Sequence, residues 1–169
     1  DSSPSRGLGD VYKRQYFIDS VDGSDNNDGL SLHDPWKSHT KVESASLAPG
    51  DVIHFKTGSA FSGSIRISVS GTADKPIRLT SYGTGDLPKF TNPTTRDANG
   101  NAMILGGDYI VVEHLHFHDT PGEYVSGMII MTRLAALRIE HGANHCVIRN
   151  NEFIKTCLLY TSPSPRDGL

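Results

Sequence analysis

An all-β solenoid, the parallel β-helix, is the fold this 169-residue sequence predicts. Three observations carry the prediction. Short β-prone runs separated by turn residues fill the chain from Val52 onward, after a single helical pattern. An internal repeat recurs at an offset of 36 residues, within the range of solenoid repeats. Hairpin chemistry is nearly absent: Asn99-Gly100 is the one pair suited to a two-residue hairpin turn, whereas a β-sandwich needs several.

Each element follows in order. Tyr16–Asp19 reads as a short strand, and Val21–Ser31 as a loop rich in Asp, Asn, Gly and Ser, which favour turns. Ser38 is placed to cap a helix over 39–47, with Val42, Ala45 and Leu47 as its apolar face. Pro49-Gly50-Asp51 ends it. Strand candidates then succeed one another: 52–55, 64–69, 77–81, 89–91, 102–105, 109–113, 115–118, 127–131, 137–139, 145–149 and 152–154. The repeat aligns 107–120 with 143–156. It matches Val111 to Val147, Val112 to Ile148, Phe117 to Phe153 and Thr120 to Thr156. Stacked coils would pair such strands in parallel at about 4.8 Å and bury a face that no coil buries alone.

The two ends have another origin. A DNA encoding Cys157–Asp167 has a reverse complement that, shifted in frame, encodes Ser5–Arg14 and then Gln or His. They are two strands of one element, which resembles the adapter of a transposase-based sequencing library. Residues 1–15 and 157–169 are therefore set aside as adapter-derived and non-structural. Residues 16–51 form the N-terminal strand, loop and capping helix, and 52–156 the first coils of the solenoid. Cys157 goes with the adapter, so Cys146 stands alone and no disulfide is expected. A net charge of -3 argues against a nucleic-acid partner, and no apolar run is long enough to span a membrane.

Several segments carry a resemblance. Tyr16–Trp36 (YFIDSVDGSDNNDGLSLHDPW), Leu47–Phe55, Ser70-Gly71-Thr72-Ala73 leading to Pro76-Ile77, Ser81–Gly85 and Val147–Phe153 resemble secreted right-handed parallel β-helix proteins. The family is the pectate-lyase-like superfamily, with its polysaccharide lyases, chondroitinase-B-like enzymes, glycoside hydrolases and epimerases. The resemblance implies a right-handed helix whose open end is capped by the helix at 39–47. It implies a substrate cleft along the outward strands and loops of the middle coils. It implies a monomeric, extracellular or periplasmic parent, of which this chain is an N-terminal fragment without its signal peptide and inactive alone. The parent is expected to act on a polysaccharide. The leading expectation is a lyase cleaving an alginate-, pectate- or chondroitin-type polymer by β-elimination. A glycoside hydrolase on the same fold and a non-catalytic adhesive β-helix are the alternatives. The family's catalytic Lys and Arg and its calcium carboxylates find no matching motif, so none is transferred.

Candidate site residues come from position and residue type. His116 and His118 alternate with Leu115 and Phe117, so both point outward, where imidazoles bind a metal or a sugar acid, or are simply solvated. Asp22, Asp25 and Asp28 offer oxygen ligands for a Ca²⁺ of the full-length parent, or self-capping turns. Glu123, Arg133, Arg138 and Glu140 lie between the repeats, where a β-helix grows functional loops. Either Arg could neutralise a uronate carboxylate in a lyase. The two Glu would serve a hydrolase if held about 5–9.5 Å apart. Structural roles are expected for Glu113 stacked on Arg149, for Asn150 or Asn151 at the bend, and for Trp36 beside the cap. Tyr82 could stack on a sugar.

Overall fold

The computed structural model describes residues 13–92, 101–118, 136–140 and 142–154, with the backbone of Tyr160 and Thr161. In chain order the elements are β1 (Gln15–Ile18), α1 (Lys41–Ser44), β2 (Val52–Lys56), β3 (Ala60–Ser62), β4 (Ile65–Ile67), β5 (Ile77–Tyr82), β6 (Lys89–Thr91) and β7 (Met103–Leu105). They continue with β8 (Ile110–Glu113), β9 (His116–His118), β10 (Leu137–Ile139), β11 (Val147–Arg149), β12 (Glu152–Ile154) and β13 (Tyr160–Thr161). Three sheets result. The first is ordered β1-β2-β5-β8-β11, the second β12-β9-β6-β3 and the third β13-β10-β7-β4. Every strand pairing is parallel. Each coil visits the three sheets in turn, which makes the chain a parallel β-helix.

The repeat predicts the register. Val111 pairs with Val147, Val112 with Ile148 and Glu113 with Arg149. Phe117 lies opposite Phe153 with their rings stacked 5.0 Å apart. Inward positions form ladders through the core: Tyr16, Ile53, Leu79, Val112 and Ile148 on the first sheet, and Ile65, Met103 and Leu137 on the third. On the second sheet Phe61, Phe90 and Phe117 stack with centroids 5.1 and 5.7 Å apart. Burial of each such side chain stabilises the coil by about 1.5–3 kcal/mol.

The turn from first to second sheet needs a left-handed residue, and His114 (φ 57°) and Asn150 (φ 54°) provide it. The neighbouring Asn151 holds the bend. Its side-chain amide donates to the Val112 carbonyl at 2.9 Å, and its oxygen accepts from the Leu115 N–H at 2.9 Å. The architectural role expected of this Asn pair is thereby divided between backbone and side chain.

Two local expectations change. The helix is one turn, Lys41–Ser44, instead of 39–47, and Thr40 at its N-cap makes no side-chain bond. Ser38 is not the cap: the helix starts two residues later, with Thr40 at the N-cap, and the Ser38 hydroxyl donates to Asp25 Oδ2 at 2.6 Å. The turn still protects an edge. Val42 is buried, and Glu43 accepts the Arg66 N–H at 2.7 Å on the outermost strand of the third sheet. Secondly, β3 is a strand that the sequence pattern does not announce, since Phe61 is its single buried apolar residue. The expected strand at 127–131 lies outside the described residues.

Trp36 packs as expected, its ring stacked on Tyr16 at 5.3 Å and its Nε1–H donating to the Asn27 carbonyl. Gly29 (φ 72°) must be glycine, because a Cβ there would fall 2.4 Å from the Trp36 ring. Gln15 belongs to β1, the Arg14 N–H donates to Asp51 Oδ1 at 3.0 Å, and Tyr160–Thr161 pairs with Arg138–Ile139. All four residues lie in the stretches assigned to the adapter. Backbone pairing at a strand edge accepts any extended segment, whatever its origin.

Candidate functional site

Two outward faces hold the candidates Arg138 and Glu140, and His116 and His118. On the third sheet, Arg66, Ile104 and Arg138 stand in register on β4, β7 and β10. Glu140, just past β10, forms an ion pair with Arg66, and its N–H donates to the Leu105 carbonyl at 2.8 Å. The Nε of Arg138 is buried and has no hydrogen-bond partner among the described residues. Arg138 and Glu140 thus share one face, joined by Arg66, which sequence reasoning missed. Glu123 and Arg133 lie outside the described residues.

On the second sheet, Lys89, His116 and Glu152 stand in register on β6, β9 and β12. With Gly85, Asp86 and Leu87 they line a cleft of about 380 Å³. His116 points outward as expected, yet it is not simply solvated: its side chain is 15 % exposed. Its Nδ1 lies 3.4 Å from Glu152 Oε2, and its Nε2 is buried without a partner among the described residues. Burial holds the His116 pKa below the usual imidazole value. Lys89 and His118 push the same way, and Glu152 and Asp86 oppose them. At neutral pH this imidazole is therefore uncharged and can accept a hydrogen bond or a proton. The His118 ring meets the His116 ring edge-on at 5.5 Å. The repeat alignment already sets Glu152 opposite His116, so that partner was readable in the sequence. Lys89 and Asp86 were not, because the coil carrying them has another length.

The loop carboxylates are occupied by protein donors. Asp25 accepts from the backbone of Lys37 and Ser38 and from the Ser38 hydroxyl. Burial would raise its pKa, but these bonds outweigh it and the net shift is downward. Asp28 accepts the Leu30 N–H at 2.8 Å, and Asp22 takes the Lys56 ammonium at 3.1 Å. Among the described residues no group of three or more His, Cys, Asp or Glu is arranged to hold a metal ion.

The first sheet contributes charge and aromatic surface that sequence reasoning assigned only in part. Glu113 is buried between Arg149 at 2.7 Å and Arg78 at 3.3 Å. The stack of Glu113 on Arg149 was expected; Arg78 was not. Tyr82, a candidate sugar platform, is instead engaged edge-on by Phe17 at 5.4 Å and by His54 at 6.3 Å. No helix among the described residues is long and apolar enough to cross a membrane.

No protein-family model matches the chain. A lacto-N-biosidase of Bifidobacterium longum is 40% identical over 78 residues, 44% of this chain. That stretch is 5% of the length of the curated relative. Among solved structures, the GH136 lacto-N-biosidase from Eubacterium ramulus superposes with a TM-score of 0.60 at 23% identity, covering 81% of this chain and 27% of that one. A rhamnogalacturonan lyase superposes with a TM-score of 0.63 at 18% identity, covering 83% of this chain and 36% of that one. Both solved structures agree with the β-helix fold. The chain is similar to carbohydrate-active β-helix proteins and spans about a third or less of their lengths.

Proposed function

We propose that this chain forms coils of a carbohydrate-active enzyme that hydrolyses glycosidic bonds in neutral oligosaccharides of the lacto-N-biose class. The observation that carries this reading is the 40% identity over 78 residues with a lacto-N-biosidase. Identity at that level reaches beyond shared architecture, which hydrolases and lyases of this fold have in common. Hydrolysis needs two carboxylates flanking the scissile bond, one as acid and one as base or nucleophile. Glu140, held in place by Arg66 on the third sheet, supplies one carboxylate on an outward face. Glu123 remains the sequence candidate for the second. An extracellular or periplasmic location accompanies this reading.

One observation favours β-elimination as the second reading. The Nε of Arg138, buried and without a partner among the described residues, offers a donor that a uronate carboxylate could take. Incubating the complete gene product with a lacto-N-bioside and with alginate, pectate and chondroitin separates the two. Hydrolysis releases a disaccharide with a new reducing end and no ultraviolet-absorbing product, and this is the expected result. An unsaturated uronate product would replace the hydrolase reading by the lyase, and binding without turnover would leave an adhesive β-helix.

A further inference from the structure

The cleft on the second sheet is built differently from the charged surface around it. Lys89, His116 and Glu152 come from three successive coils at the same register position. Neighbouring parallel strands stand about 4.8 Å apart, so these side chains present polar atoms in a line along the helix axis, at a spacing comparable with one sugar ring. The mouth is open, since Glu152 is 56 % exposed, while His116 forms a half-buried wall whose Nε2 is left without a partner among the described residues. Gly85, Asp86 and Leu87 close one side.

We propose that this cleft is a saccharide subsite for a neutral sugar, with Asp86 and Glu152 accepting from ring hydroxyls and His116 and Lys89 completing the hydrogen bonding. The charge balance selects the class. Two carboxylates face one ammonium and one imidazole, so a uronate would meet net repulsion. A neutral polyol supplies donors to both carboxylates and acceptors to Lys89. The subsite lies on a different sheet from Arg66, Arg138 and Glu140, and the role proposed for it is to hold substrate. This inference rests on the carbohydrate-active reading above and names where the sugar binds.

Titrating the chain with lacto-N-biose and, separately, with digalacturonate, while following the imidazole signals of His116 by NMR, tests it. The neutral disaccharide is expected to shift the His116 signals. Glu152→Gln and Asp86→Asn, both at exposed positions that leave the fold intact, should each weaken that binding about tenfold. Digalacturonate should leave the signals unchanged. A response to digalacturonate equal to or stronger than that to lacto-N-biose overturns the assigned class. Silent His116 signals at millimolar lacto-N-biose overturn the subsite even where the gene product hydrolyses glycosides, so the two proposals fail separately.

Discussion

His39 shows how a single side chain ties the cap to the core. It is 5 % exposed, its ring lies 5.4 Å from Phe61 and 6.1 Å from Phe90, and its Nε2 is buried without a partner among the described residues. Burial pushes its pKa down to about 4, against a hydrogen bond with the Gly63 backbone that pulls it up. The folded state therefore holds the neutral imidazole, while the unfolded chain protonates near pH 6.5. Stability from this group is complete above about pH 6.5 and is lost as the pH falls toward 4, by about 3 kcal/mol in all. Urea midpoints measured across that window should fall, and His39→Leu should flatten the decline. An equally steep decline in the variant would assign the pH dependence to other groups, with His54, also lowered by burial, the first to examine. At this scale the sequence was partly legible. The Glu113–Arg149 pair could be read because one repeat offset links the two residues. Arg78 on Glu113, and Lys56 donating to Asp19 at 2.6 Å, could not. Their coils differ in length from the repeated one, so no fixed spacing brings those partners together.

At the scale of elements, the second sheet is a column of phenylalanines and the bend beside it a hydrogen-bonded hinge. Phe90 is fully buried between Phe61 and Phe117, whereas Phe153 is 40 % exposed at the end of the column. Phe90→Ala should cost about 3–5 kcal/mol by opening a cavity that the flanking rings cannot fill. Phe153→Ala should cost clearly less, because its ring has lost less contact with water. Equal losses in denaturant titrations would mean that the column does not bear the load unevenly as its burial implies. The strands of this column at Phe117 and Phe153 were legible as one repeated motif. The strand around Phe61 was not, because a three-residue strand with one buried side chain has no period to detect. The helix was over-read for a related reason. An apolar face and a serine cap suggest a longer helix, but Asp25 takes the serine hydroxyl and a single turn suffices to cover the sheet edge.

For the molecule as a whole, parallel stacking leaves the surface of the last described coil as the part with most to gain from further contact. Val147 is 44 %, Phe153 40 % and Ile154 44 % exposed there, three apolar side chains on the adjacent strands β11 and β12. Each coil of a solenoid buries its apolar face against the next, and exposed strand edges pair with whatever extended chain they meet. The resemblance points to a monomeric parent, but this apolar end has the composition of an interface. The chain should therefore associate end to end as its concentration rises, with a sedimentation coefficient that increases over the micromolar range. Phe153→Asp combined with Ile154→Asp places two charges on that end and changes no residue of the inner coils, losing there the ring stack of Phe153 on Phe117. The double variant should sediment as a monomer with an unchanged circular dichroism spectrum. Association undiminished in the double variant would place the contact on another surface, with the exposed Leu30 and Leu32 in the loop before Trp36 the next to substitute.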